Sequence, residues 1–238
     1  MSGLLRGFSR ISVLAASALF LVACASQGKP VAVDLGMFGM VYGRDGSPVG
    51  AARVAVDGAP ATASDSSGRF FLRDVNDGFH VLEVTKDGYE TWRGDFERRE
   101  SSDVLYVKLV SAAWLIDEAE RAASVLDWAR ALDSVNRALA IRADDPVAAF
   151  ILGIIALRSP ASADEARRAA DLLEGAATRG EREPSLFLLL AELYKSRLAD
   201  PEAELRALRM AGESRRSPEN ELRMSELESL LAGAVPAP

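Results

Sequence analysis

The 238-residue sequence contains one cysteine, Cys24, and one histidine, His80. A single cysteine cannot form a disulfide within the chain or a thiolate metal cluster. The sequence also lacks the glycine-rich phosphate loop, the nucleophile elbow of hydrolases and the paired-histidine zinc motif. His80 alternates with Leu82 and Val84, so we predict a packed or rim histidine instead of a ligand. We therefore expect a chain without enzymatic activity, with no catalytic residue, metal or cofactor.

Basic residues are too few for a nucleic-acid-binding surface. The chain has 28 lysines and arginines against 35 aspartates and glutamates, for a net charge of −7. If residues 1–23 are removed, Arg6 and Arg10 are lost, so the basic count falls to 26 and the net charge becomes −9. Phosphate recognition needs a basic footprint. This balance argues against a nucleic-acid partner.

The amino terminus has the pattern of an export signal. Arg6 and Arg10 precede an uncharged apolar run over 11–23, which is too short to span a bilayer. The run ends in Leu-Val-Ala-Cys, which resembles the lipobox of bacterial lipoproteins. That resemblance implies cleavage after residue 23, acylation of Cys24 and attachment to the cell envelope, with Ala25 favouring the outer over the inner membrane. The alternative is an ordinary secretory signal with a chance cysteine.

Short strands separated by turns are predicted over residues 36–110, after a lipidated tether over 24–35. Glycine, aspartate and proline mark reversals after the first strand, after 52–56 and before 70–72. Because no helical interval separates the strands, the pattern predicts a small antiparallel β-sandwich of about seven strands. Five can be located, at 37–42, 52–56, 70–72, 79–84 and 104–109.

The order of small motifs in this region is also informative. It runs Gly39-x-Val41, Asp45-Gly46-x-Pro48-Val49-x-Ala51, Val54-x-Val56, Asp65-x-x-Gly68-x-Phe70, Gly78-x-His80 and Gly88-Tyr89. This order resembles the carboxypeptidase regulatory-like domain, a transthyretin-like β-sandwich that has no catalytic centre of its own. Its later part is also similar to PEGA-type envelope modules. The resemblance implies that Phe70 and Tyr89 fill the core.

Residues 111–233 are rich in alanine, leucine, arginine and glutamate and are predicted to be helical. Three stretches resemble tetratricopeptide repeats; the clearest has Leu190 and Ala203 thirteen residues apart, the spacing at which paired helices cross in that family. The segment after Pro218 resembles the extra helix that caps such arrays. The alternative is an alanine-rich bundle with chance matches. Residues 234–238 are expected to form a disordered tail.

In tetratricopeptide arrays the first helix of each pair lines the inner face. Alignment of the three repeats places on that face the residues Ile116, Phe150, Ile154, Leu157, Leu188, Glu192 and Lys195. An apolar groove with a few charges is suited to a peptide or a partner helix. The same side chains could instead pack against the β-domain, because residues 110 and 111 leave almost no linker.

The predicted protein is therefore multidomain, with a small antiparallel β-sandwich followed by an all-α tetratricopeptide-like array. We expect a membrane-anchored envelope lipoprotein that acts as a protein-protein adaptor or assembly factor. The alternative is a surface lipoprotein whose β-sandwich binds glycan or host protein. Exposed aromatic side chains such as Tyr42, Trp92 or Tyr106 would favour that alternative.

Overall fold

Seven strands form two small sheets between residues 36 and 109, in the part of the chain that the structure describes. The computed structural model describes residues 36–99, 104–181, 183–212 and 217–233, so the predicted signal, Cys24, the tether and the C-terminal tail lie outside the described residues. The strands are β1 (Met37–Gly43), β2 (Arg53–Val56), β3 (Ala59–Ala63), β4 (Arg69–Leu72), β5 (Gly78–Thr85), β6 (Trp92–Arg98) and β7 (Leu105–Leu109). One sheet has the order β4-β1-β7 and the other has the order β3-β2-β5-β6.

The prediction that all strands pair antiparallel is wrong for one pair. β1 and β7 are parallel, with Val41 opposite Val107, whereas β1–β4, β2–β3, β2–β5 and β5–β6 are antiparallel. Antiparallel pairing is imposed where a short hairpin joins two strands. β7 follows β6, which belongs to the other sheet, so no hairpin joins β7 to β1. The chain connection therefore does not force these two strands to run antiparallel.

Both sheets contribute to one hydrophobic cluster. Val41, Phe70 and Leu72 come from the first sheet, and Leu82 and Val84 come from the second. Alternate residues of β1 are buried, which is the period expected for a strand with one face on a core. Phe70 lies in this cluster and Tyr89 packs against it, as the sequence resemblance implied.

Gly39 on β1 is required by the packing of this cluster. A Cβ atom at this position would lie 2.0 Å from Cζ of Phe70, so the ring occupies the space that a side chain would need. The first glycine of the motif series thus permits close packing within the sheet. Gly68 instead serves a turn, since its φ is +77°.

Within the described residues, seven α-helices follow the strands. They are α1 (Ala112–Ser124), α2 (Trp128–Ile141), α3 (Pro146–Arg158), α4 (Ala163–Thr178), α5 (Pro184–Leu193), α6 (Pro201–Gly212) and α7 (Pro218–Gly233), and a π-helical turn over Tyr194–Leu198 extends α5. Side-chain caps fix several of the starts: Asp145 accepts two backbone hydrogen bonds at α3, and Ser162 and Glu165 form a capping box at α4.

The helices pack as successive pairs. α1 packs against α2, α3 against α4, and α5 against α6, while α3 also contacts both α1 and α5, and α7 packs against α6. Gly153 marks a close crossing, because a Cβ atom there would lie 2.8 Å from Leu189 Cδ2. Ala191 and Ala203 are buried as well. The arrangement places the first helices of the three pairs side by side.

A short junction connects the strands to the helices. The Glu90 amide donates to the Val110 carbonyl, and the Ala112 amide donates to the Gly88 carbonyl. The Glu90 carboxylate also receives two hydrogen bonds of 2.8 Å from Arg137 on α2, which raises the pKa of that guanidinium. The backbone and this ion pair therefore hold α1 and α2 against the end of the second sheet.

Candidate partner-binding groove

The seven predicted groove residues lie on the first helices of the three pairs. Ile116 lies on α1, three others on α3, two on α5 and Lys195 in the π-helical turn. Their exposure differs: Ile116 is buried, Glu192 and Lys195 are exposed, and the half-buried ones are Phe150, Ile154, Leu157 and Leu188.

The four half-buried side chains pack against the hydrophobic cluster of the helices. None of them belongs to the group that packs against the cluster of the sheets. The side of each residue that remains exposed is therefore not used to dock the strand region. This leaves the array with an apolar face along α3 and α5.

A cavity of about 400 Å³ lies between α5, α6 and α7. Three predicted groove residues line it, Leu188, Glu192 and Lys195, whereas the four on α1 and α3 do not. The predicted groove residues therefore fall into two groups. Three line the cavity, and the other four lie on the neighbouring helices α1 and α3. The remaining lining residues are Ala191, Glu204, Leu208, Glu219, Asn220, Leu222, Arg223 and Glu226.

An ion pair at the base of this cavity fastens α7 to α6. Glu204 is buried, and its two carboxylate oxygens accept hydrogen bonds of 2.7 and 2.9 Å from Arg223. This pairing raises the pKa of the Arg223 guanidinium. Glu226 lies 3.3 Å from the same guanidinium. Acidic groups outnumber basic ones around the opening, so a cationic ligand is favoured there.

The sequence did not predict that α7 forms one side of this cavity. Leu222 is 64% exposed although it lines the cavity, and Arg223 pairs with a buried glutamate. The signal available was Glu204 itself, a charged residue between Ala203 and Leu205 on the buried side of α6. A buried carboxylate needs a partner, and a nearby arginine is the usual one.

A second exposed surface lies on the sheet β4-β1-β7. Tyr106 is 63% exposed, and its ring centroid lies 6.5 Å from that of the half-buried Tyr42. Trp92 behaves differently, since it packs against the cluster of the sheets. Two of the three aromatic residues named from the sequence are therefore on an open face.

His80 borders a separate cavity of about 720 Å³ at one end of the sheets. Its Nδ1 lies 2.7 Å from Asp57 Oδ2, and its Nε2 lies 2.8 Å from the Asn76 carbonyl oxygen. The hydrogen bond with Asp57 is the main reason that the pKa of His80 is raised. The ring is held on both sides by protein groups, as expected for a packed or rim histidine.

No metal site or membrane span is found in the part of the chain that the structure describes. Among residues 36–99, 104–181, 183–212 and 217–233, no group of three histidine, cysteine, aspartate or glutamate side chains is placed to hold a metal ion. Across the same residues, none of the helices combines the length and apolarity that crossing a bilayer requires.

The sequence matches no protein-family model and no curated protein. One solved structure similar to part of it is "MamA RS-1 ArsTM double mutant", with 16% identity, a TM-score of 0.43, and coverage of 51% of this chain and 66% of that chain. Another is YrrB, described as a TPR protein with an unusual peptide-binding site, with 23% identity, a TM-score of 0.43, and coverage of 52% of this chain and 63% of that chain. A third is the Sgt2 TPR domain from Aspergillus fumigatus, with 16% identity, a TM-score of 0.41, and coverage of 53% of this chain and 86% of that chain. The chain spans just under two thirds of the length of the first two, and TPR proteins are among these structures.

Proposed function

We propose that this chain is a non-catalytic lipoprotein of the bacterial envelope whose helical array binds a segment of another protein, as an adaptor or assembly factor. In this proposal Cys24 carries the lipid, in the outer membrane by preference. The strand region is a carboxypeptidase regulatory-like sandwich, and the array is tetratricopeptide-like. The observation that carries the proposal is the cavity between α5, α6 and α7, which is lined by Leu188, Glu192 and Lys195.

The cavity and the adjoining apolar face suit an amphipathic segment. Leu188, Leu208 and Leu222 supply apolar contact, and the half-buried side chains of α3 continue that surface. Such helix faces recognise partners through apolar anchors spaced along a peptide or helix. The excess of carboxylates around the opening favours a segment that also carries lysine or arginine.

Site-specific photo-crosslinking in the native host tests this proposal. A photoreactive residue in place of Glu192, whose side chain is 51% exposed in the groove, should capture a discrete protein partner. The matched control replaces Glu228, which is 53% exposed on α7 and does not line the cavity. Capture from the first position alone supports the proposal. Equal capture from both positions, or none from either, would count against it.

A second candidate function is binding of glycan or host protein by the strand region. The half-buried Tyr42 and the exposed Tyr106 favour it, because aromatic rings on an open face serve as contact platforms. If this candidate is correct, Tyr106→Ala abolishes recovery of the ligand while Leu188→Gln leaves it unchanged. The adaptor proposal expects the reverse pattern.

A further inference from the structure

The outer face of the sheet β4-β1-β7 presents apolar and basic side chains in three rows across the strands. We call this surface the outer sheet face; its residues are Phe38, Met40, Tyr42, Arg69, Phe71, Tyr106 and Lys108. The strand register sets the rows. Phe38 lies opposite Phe71, Met40 lies opposite both Arg69 and Tyr106, and Tyr42 lies opposite Lys108.

The first row is entirely apolar and lies at the beginning of β1. The rings of Phe38 and Phe71 are 4.7 Å apart, and Phe38 is nevertheless 59% exposed. Val104, which directly precedes β7, is also exposed. This row has no side-chain group that could hydrogen-bond to the hydroxyls of a sugar. A glycan site would need such groups around its aromatic platform.

The two charged residues of the outer sheet face, Arg69 and Lys108, are both basic, and Arg73 directly follows β4 beside Phe71. Lys108 Nζ lies 5.2 Å from the centroid of the Tyr42 ring, and the Arg73 guanidinium lies 6.0 Å from that of Phe71. Arg69 pairs with Asp65 in the preceding turn. The outward positions of these three strands hold no acidic residue, in a chain whose net charge is −7. Exposed aromatic rings mixed with cations are suited to an anionic lipid interface.

The proposed lipid attachment lies close to this row along the chain. Phe38 follows Cys24 by 14 positions, so the chain between them reaches at most about 50 Å even when fully extended. Attachment at Cys24 would therefore keep the first row of the outer sheet face within about 50 Å of the bilayer, which allows this face to reach it. One acyl-anchored residue combined with a basic and aromatic patch is a stable membrane-binding combination.

We propose that the outer sheet face rests on the anionic lipid surface that carries Cys24, with Phe38 and Tyr106 entering the headgroup region and Arg73 and Lys108 facing lipid phosphates. The inference rests on the proposed lipid anchor. Its consequence is a fixed orientation, in which the strand region lies against the membrane and does not swing freely on the tether.

Tryptophan quenching by brominated lipid tests the contact directly. The full chain, made and acylated in a bacterial host, is reconstituted in phosphatidylglycerol–phosphatidylcholine vesicles with and without bromine on the acyl chains. The Phe38→Trp variant is compared with Val125→Trp, which changes a side chain that is 73% exposed at the end of α1. Emission of the parent chain, which has three tryptophans, is subtracted. Tyr106→Trp repeats the test from β7.

The proposal expects blue-shifted emission that brominated lipid quenches in Phe38→Trp and Tyr106→Trp, and neither effect in Val125→Trp. Adding Lys108→Glu to Phe38→Trp should reduce the ratio of docked to undocked chain at least about fivefold.

Equal quenching at all three positions overturns the proposal. Absence of quenching in a chain that floats with the vesicles overturns it too, but leaves the anchor intact. A chain that does not float and carries no acyl group on Cys24 overturns both. A spectral change with an N-acetylglucosamine oligosaccharide, without quenching by lipid, assigns the face to glycan.

Discussion

Besides the Glu204–Arg223 ion pair, the attachment of α7 to the array uses one fully buried leucine. Leu227 is 1% exposed and is the only fully buried residue of that helix, whereas Leu222 and Leu230 on the same helix are 64% and 59% exposed. Truncation of a buried leucine to alanine costs about 2–5 kcal/mol, from lost transfer free energy and the cavity left behind. Because α7 lies at the end of the array and can move towards α6, we expect Leu227→Ala to fall in the lower half of that range, at about 2–3 kcal/mol.

The same substitution at Leu222 and Leu230 provides matched controls. Both remove an exposed side chain from the same helix, so each should change the free energy of unfolding by less than about 0.5 kcal/mol. The measurement is urea unfolding followed by circular dichroism, with hydrogen exchange of the α7 amides. Similar effects of all three substitutions, or no loss of amide protection in Leu227→Ala, would refute the assigned position of α7.

Three further predictions concern the helix crossing, the histidine and the anchor. Gly153→Leu should lower the free energy of unfolding by about 1–3 kcal/mol, since even a Cβ atom there would meet the buried Leu189. Gly175→Ala on α4 should instead raise the free energy of unfolding by about 0.4–1 kcal/mol. Comparable melting temperatures of the two variants would contradict this. Asp57 raises the pKa of His80 above 6.5, and the pKa of Asp57 is itself lowered below 3.8. The pair therefore stabilises the fold most between pH 3.8 and pH 6.5. This stabilisation is lost as the pH rises through the folded-state pKa of the histidine. The difference in urea midpoint between the parent and Asp57→Asn should therefore shrink above about pH 6.5, and a gap that is constant with pH would exclude the mechanism. Cys24→Ser should leave the precursor uncleaved and move the protein out of the detergent phase; unchanged partitioning would exclude the lipid anchor.

The helices could be located from the sequence because their ends carry local signals. At the start of α4, for example, Ser162 and Glu165 stand three residues apart and form a capping box, and the helix begins at Ala163. The close approach of Gly153 on α3 to Leu189 on α5 also agrees with the repeat alignment, which placed α3 and α5 on one face. The capping signal lies within one turn of the chain, and the repeat alignment needs only regular spacing along it.

Two strands could not be located from the sequence because long-range pairing determines them. β3 reads Ala-Pro-Ala-Thr-Ala, with a proline and no large apolar side chain, and it pairs with β2 across an irregular register. β6 reads Trp-Arg-Gly-Asp-Phe-Glu-Arg, with Gly94 between its two apolar residues Trp92 and Phe96, and it is held by its seven-residue pairing with β5. β3 lacks the apolar alternation that marks a strand from the sequence alone, and in β6 a central glycine and four charged residues weaken that alternation.

The candidate groove was only half predictable for a related reason. Residues of α3 and α5 follow from the repeat alignment, since neighbouring first helices share one face. The contribution of α7 depends on its rotation, which the buried Glu204–Arg223 pair and Leu227 fix. Rotation of a terminal helix is a property of tertiary packing, and repeat spacing does not encode it.

The central claim, that the groove binds a protein segment, is tested most directly by a pair of leucine substitutions. Leu188 lines the cavity and Leu172 lies on α4 away from it, yet both are half-buried and pack against the same helical cluster. Leu188→Gln and Leu172→Gln should therefore lower stability to a similar extent, while only Leu188→Gln abolishes recovery of the protein crosslinked through Glu192. Loss of recovery in both variants, or in neither, would contradict the account.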